Sequence, residues 1–114
     1  MLKRLKTDFH FVDERGSIDQ IIHEGYAQVN VITSKAGVIR GGHYHKQNSE
    51  AFYVISGKLE LTVNGEVEIF SAGDFFGIEA GDWHSFRYIE DTVLVSMYSR
   101  GVENGDGSKD MFSE

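Results

Sequence analysis

Two of the five histidines in this 114-residue chain stand one residue apart, in GVIRGGHYHKQNSEAFYVISG, residues 37–57. Residues i and i+2 of a strand point the same way, so His43 and His45 present two imidazoles to one side and Tyr44 faces the other. A short turn at Lys46–Ser49 leads to the next strand-like run, where Glu50, Phe52 and Val54 share one parity and Ala51, Tyr53 and Ile55 the other. With the first set inward, Glu50 meets the two histidines across the ladder. His84, in AGDWHSF, is the fourth candidate. Three imidazoles and one carboxylate make an N3O donor set that suits zinc, iron, manganese, nickel or copper, and spacing does not choose among them. We expect one divalent transition metal, zinc first and then iron, manganese or nickel. A single histidine in a strand is more often a surface or core residue, and His10 and His23, which lack such company, are read that way.

Composition narrows what else such a site can be. The chain has no cysteine, so disulfides, thiolate metal sites and cysteine nucleophiles are excluded and any metal is held by nitrogen and oxygen. A net charge of −7 argues against nucleic acid as a partner, which needs a basic stripe to neutralise phosphates. It leaves room for a small phosphorylated ligand gripped by a few local arginines. No apolar run reaches the ~20 residues that span a bilayer, so no membrane partner is expected. MLKRLKTDF lacks the apolar stretch of a signal peptide, and a cytoplasmic location is expected.

The elements that must position these residues read as short strands. From Phe9 to Tyr98 strand-like runs alternate with turns, and no helical period lasts ten residues. With no proline and 13 glycines, turns must be made by glycine, asparagine and aspartate. Ser17–Glu24 and Tyr26–Thr33 are separated by Gly25. KLELTVNGEVEIF, Lys58–Phe70, is the clearest hairpin: Leu59, Leu61 and Val63 share a face, and Asn64-Gly65 is the favoured dipeptide of a type I′ turn. Asp74–Ile78, His84–Ile89 and Thr92–Tyr98 supply further strands. Strands at this spacing predict an all-β sandwich or small barrel over residues 1–100, followed by a polar, glycine-rich tail at 101–114. That tail reads either as a frayed end or as a flap over the site or over a partner subunit.

At every fixed position residues 37–57 resemble the first motif of the cupin superfamily: Gly37, His43, His45, Glu50 and Gly57. Residues 73–88, GDFFGIEAGDWHSFRY, resemble the second motif at Gly73, Gly81 and His84, with Glu79 in place of the usual proline and Tyr88 in place of the usual asparagine. The resemblance implies a double-stranded β-helix, a jelly-roll-like antiparallel barrel with a metal in one mouth, held by His43, His45, Glu50 and His84. Residues 28–45 also resemble the deoxysugar 3,5-epimerases at Gln28, Asn30, Gly37, Val38, Arg40, Gly41, His43 and Tyr44, and FVDERGSIDQI resembles an upstream segment of that group. The departure is His45, where those metal-free epimerases carry glutamine. RGGHYHK is similar as well to the cupin domain of capsular-polysaccharide assembly enzymes and to the nucleotide-sugar 3,4-ketoisomerases. All three groups act on nucleotide-linked sugars in making surface polysaccharides.

The resemblance implies a metal-assisted isomerase or epimerase, with Arg40, Gln28 and Asn30 as substrate-binding residues. A metal stabilises the enolate formed next to a carbonyl. If His43 and His45 bind it, Tyr44, Tyr53, Tyr88 and Tyr98 remain as acid–base candidates, and Tyr98 and Tyr44 are the ones chosen. Arg87 and Arg100 read as solvated surface charges, and most of the aromatics as core or dimer packing. Two other functions fit the ligand set: a metal-dependent oxygenase of a small molecule, and a non-catalytic sugar-binding or sensor module. Small barrels expose sheet edges that need covering, so a symmetric homodimer is expected, with Phe9–Glu24 crossing to the neighbour.

Overall fold

The computed structural model describes residues 3–6, 9–22, 25–101 and 108–113, and His23 and Glu24 lie outside them. The described residues form eleven strands and no helix: β1 (Lys3–Arg4), β2 (Phe9–Asp13), β3 (Gly16–Gln20), β4 (Gln28–Ser34), β5 (Ile39–His43), β6 (Glu50–Ser56), β7 (Lys58–Val63), β8 (Glu66–Ser71), β9 (Phe75–Ile78), β10 (His84–Tyr88) and β11 (Thr92–Tyr98). Asn64 and Gly65 both take positive φ, 47° and 87°, as a type I′ turn requires, and they join β7 to β8 where the alternating sequence predicts a hairpin.

The strands assemble as an antiparallel five-stranded sheet, β1-β9-β6-β11-β4, facing a four-stranded sheet, β5-β10-β7-β8. This is the expected all-β architecture, a double-stranded β-helix closed like a jelly roll. Among the described residues β2 and β3 pair only with each other, as a separate hairpin. Inward side chains of both sheets share one core: Phe52, Val54, Phe76, Ile78 and Leu94 from the first, and Leu59, Leu61, Val63, Phe70, Phe86 and Tyr88 from the second. A smaller cluster covers the back of the first sheet, where Leu5, Ile21, Ile22 and Tyr26 pack on Ala51, Phe75 and Met97. That second layer explains why β6 is apolar on both parities instead of alternating.

Two glycines allow close backbone approaches, Gly57 at the end of the barrel away from the histidines and Gly41 beside them. At Gly57 the chain passes from β6 in one sheet directly to β7 in the other, with φ +96°; a Cβ there would lie against Asp91 O and 2.5 Å from Thr92 Oγ1. Gly41, at φ +90°, lies where a Cβ would be 3.0 Å from the carbonyl oxygen of His84. Next to it the β5–β10 register shifts: His43 pairs with His84, Gly41 with Ser85 and Arg40 with Phe86. The extra residue is Gly42, so Arg40 and His43, three apart, both take inward registers.

Gly57→Ala should be among the most damaging single-methyl additions in the chain. Left-handed strain and the clash with Asp91 and Thr92 together are expected to cost about 2–3 kcal/mol. Gly65→Ala, where a Cβ meets open space, isolates the strain alone and should cost less. Urea unfolding midpoints of the two variants against wild type check the ranking.

Candidate metal centre

One rung of side chains crosses the first sheet at the mouth. Tyr98 pairs with Gln28 on one side and with Glu50 on the other, and Glu50 pairs with Ile78. From the opposite sheet His43 and His84 face each other across the β5–β10 ladder, and His45 follows two residues beyond His43. The ligand atoms of His43, His45 and His84 all lie within 4.8 Å of one another. Glu50 Oε1 is 2.9 Å from His45 Nε2 and 3.3 Å from His84 Nε2. His45, His84 and Glu50 are buried, and His43 is half-buried.

Hydrogen bonds behind the ligands fix which nitrogen is available. A carbonyl only accepts, so His84 Nδ1–H donates to Asp82 O at 2.9 Å and His45 Nδ1–H donates to Asp110 O at 2.5 Å. Both rings therefore turn Nε2 toward the cluster. Among the described residues, three buried side-chain polar atoms lack a hydrogen-bond partner: His45 Nε2, Glu50 Oε1 and Ser96 Oγ. The first two lie 2.9 Å apart without the alignment of a hydrogen bond.

This arrangement fits a metal. Ligand bonds of roughly 2.0–2.2 Å place neighbouring donors about 3.0–3.4 Å apart, close to the spacings seen here from Glu50 Oε1. Two buried polar atoms without hydrogen-bond partners are otherwise costly. The site is compatible with a divalent ion held by nitrogen and oxygen; the donor set does not specify which ion.

The electrostatics favour the ligand-ready forms of His43 and Glu50, while His45 is shifted the other way. Burial, then the charges of His84 and His45, push His43 down to about 4. Burial alone would raise Glu50, but the close polar contact and charge of His45 and His84 prevail and hold it at about 2. For His45 burial acts downward, and Glu50 with the Asp110 carbonyl outweighs it, leaving the ring above its ordinary value. Tyr98 is pushed up by burial and by the Glu50 carboxylate, to which its hydroxyl donates. It is therefore held protonated, and its ring meets that of His45 at 5.5 Å.

The other candidates fall in different places. Gln28 and Asn30 sit at inward registers of β4, opposite Tyr98 and Ser96. Tyr44 faces away from the cluster, pairs with Phe112 in an isolated bridge and packs against its ring at 5.5 Å. The Arg40 guanidinium is tied to Ser34 Oγ at 2.8 Å and Thr33 O at 3.3 Å. Ser34 ends β4 while Gln28 begins it, about 20 Å away along the strand, so Arg40 is not brought to the histidines. Arg87 pairs with Glu60 on the outer face. Sequence reasoning missed Asp110, Asn48 and Ser96. Nothing in the pattern GDGSKDMFSE marks Asp110 as a partner of His45.

Residues 30–98 match the family model described as the cupin domain. Over 60 residues, 52% of the chain, the sequence is 43% identical to quercetin 2,3-dioxygenase of Bacillus subtilis, and the match spans 18% of that protein. In structure the chain is similar to a 3,4-ketoisomerase from Helicobacter canadensis, with a TM-score of 0.80 and 20% identity over 99% of this chain and 90% of that one. It is also similar to QdtA, a sugar 3,4-ketoisomerase from Thermoanaerobacterium thermosaccharolyticum solved with TDP, with a TM-score of 0.74 and 20% identity over 100% and 87% of the two chains. At such identities the structural likeness shows the shared fold.

The protonation pattern has a measurable consequence in metal-free protein. His43 folds with a pKa near 4 against an ordinary 6.5, so its contribution to stability is present above pH 6.5 and is lost as pH falls toward 4. Glu50, at about 2 against 4.5, keeps its contribution above 4.5 and loses it toward 2. His45 is raised, so its contribution is complete below 6.5 and constant through the window in which His43 titrates. Urea midpoints of chelator-treated protein should fall between pH 6.5 and 4, and His43→Gln should flatten that slope. An equal slope in the variant would assign it to other groups.

Proposed function

Since the chain belongs to the cupin family, we propose that His43, His45, His84 and Glu50 hold one divalent transition metal, zinc ahead of iron, manganese or nickel. We infer that the protein is a metal-assisted isomerase or epimerase of a nucleotide-activated sugar, acting in surface-polysaccharide synthesis. The observation that carries the metal reading is the pair of buried polar atoms without hydrogen-bond partners, His45 Nε2 and Glu50 Oε1, beside a cluster of three imidazoles. The sugar reading draws support from the near full-length correspondence in both directions with the Helicobacter ketoisomerase.

When bound, the ion would supply Lewis acidity toward a substrate carbonyl. The remaining roles belong to the chain. Burial of the ligands excludes water from one side of the site, while half-buried His43 marks its open side. Glu50 stays ionised. Tyr98, held protonated beside it, is suited to donate a proton to a developing oxyanion and not to begin as a base. Gln28 and Asn30, on the same inward face, offer amides to sugar hydroxyls. Arg40 would have to release Ser34 and Thr33 before gripping a phosphate at the mouth.

An oxygenase is the second reading, favoured by the 43% identity to the Bacillus dioxygenase. Metal analysis of protein purified without chelator or nickel resin, beside His45→Gln, tests the cage: about one ion per chain is expected in wild type and a large loss in the variant. Nucleotide-linked 4-keto sugars incubated in deuterated water should then gain deuterium next to the carbonyl. Iron with oxygen uptake on a flavonol would replace the isomerase by the oxygenase. Tight sugar binding with neither reaction would make the protein a binding module.

A homodimer belongs to the same reading. β4 is an edge strand with Val29 and Val31 exposed, and the β2–β3 hairpin exposes Phe11, Val12 and Ile18. Burying these apolar faces against a second copy would relieve both the open edge and the exposed side chains. Light scattering at micromolar concentration is expected to return the mass of two chains; one chain's mass would refute the dimer.

A further inference from the structure

We propose that Asp110 is a positioning residue for the metal site, and that the C-terminal segment carrying it clamps His45 as a ligand. The inference rests on the metal reading above and deepens it.

Asp110 is 2% exposed, although it lies in a stretch that reads as polar tail. Its main-chain carbonyl accepts the His45 Nδ1–H bond. Its carboxylate accepts four more: Lys46 N at 2.8 Å to one oxygen, and Gln47 N at 2.9 Å, Asn48 N at 3.1 Å and Asn48 Nδ2 at 2.9 Å to the other. The acceptors on this one residue thus hold both a ligand ring and the backbone of the turn that follows it. Asn48 extends the grip: its Nδ2 also reaches Gly101 O and its Oδ1 accepts from Arg100 N. Two residues beyond Asp110, Phe112 exchanges backbone hydrogen bonds of 2.8 and 3.0 Å with Tyr44, and the Lys46 ammonium lies 4.3 Å from its ring centroid.

The contrast with His84 gives this clamp its meaning. The carbonyl that orients His84 belongs to Asp82, two residues away, and comes with the local turn. The carbonyl that orients His45 lies 65 residues away in sequence. His45 therefore has its Nδ1–H tautomer and its ring angle set by docking of the tail. A carboxylate accepting several backbone N–H bonds makes a strong anchor, and a carbonyl behind a ligating imidazole fixes which lone pair is presented.

The test uses Asp110→Ala and Asp110→Asn in the full chain, loaded with Co2+ and Zn2+ in competition with a chromophoric chelator. The imidazole Nδ1–H proton of His45 is followed by NMR in metal-free protein. Wild type should show that proton in slow exchange. Asp110→Ala should lose it and bind metal about 10–100-fold more weakly, while Asp110→Asn, which keeps one acceptor for the amides, should lose less. Should the alanine variant fail to fold, the asparagine variant carries the same two readouts. Unchanged affinity in a folded variant overturns the clamp and leaves the metal site standing. Reduced affinity with the Nδ1–H signal intact also overturns it, since the effect would then bypass His45. No binding of either ion by wild type overturns the metal reading and the clamp with it.

Discussion

Burial of a carboxylate among imidazoles at one end of a β-barrel is the constraint that organises this protein. Glu50 is nearly inaccessible and stays ionised, which in an apolar core is costly unless opposite charge or donors surround it. The surroundings are arranged accordingly. The first sheet offers Tyr98 to one side of Glu50, and the second brings His45 and His84 against it. The bulge at Gly41–Gly42 turns His43 inward as a third ring at a point where strict alternation from Arg40 would have turned it out. One rung further in, the apolar core begins, with Phe52, Phe76 and Phe86 packed ring to ring. The polar end of the barrel is thus shallow and is backed by rigid packing, which limits how far the ligands can relax away from one another.

The same constraint ties distant parts of the chain together. Lys46–Ser49 must carry the backbone from His45 to Glu50, so its free amides would otherwise face a buried corner. The Asp110 carboxylate and the Asn48 side chain satisfy that corner. Ser49 and Ser99 add a reciprocal pair beside it. The tail is therefore part of the architecture of the mouth wherever it is described, and what holds it there is mainly polar. Among the described residues these hydrogen bonds are joined by the Phe112 ring against Tyr44.

How much of this was legible in the sequence follows from which forces are local. Hairpin β7–β8 was readable because alternation and Asn64-Gly65 both act within a few residues. The four cluster residues were readable because strand parity and motif spacing carry them, and strand ends fell within two residues of expectation at β4, β9 and β10. Three things were not readable. The apolar backs of β6 and β11 depend on Leu5, Ile21 and Ile22 covering them from far away in sequence. The Arg40 side chain leaves the mouth because Ser34 and Thr33 lie within its reach, a choice made by tertiary contact and not by register. Asp110 carries no periodicity, and its role exists only because residues 65 apart meet.

Tyr98 and Glu50 together restrict the chemistry. A proton shift between neighbouring carbons needs a group that takes a proton and later returns one. Glu50, held near 2, is a weak base, and engaging it as a ligand weakens it further. Tyr98 starts protonated, so it can give before it can take. Neither group supplies a strong base, and the rings of His45 and His84 have their Nδ1 protons committed to carbonyls. Under the isomerase reading proposed above, Tyr98 would offer its proton to the oxygen where charge develops, and a bound ion would supply Lewis acidity toward the carbonyl. The neighbouring imidazoles keep Glu50 an anion against the effect of its burial, and burial beside that anion keeps Tyr98 a neutral donor.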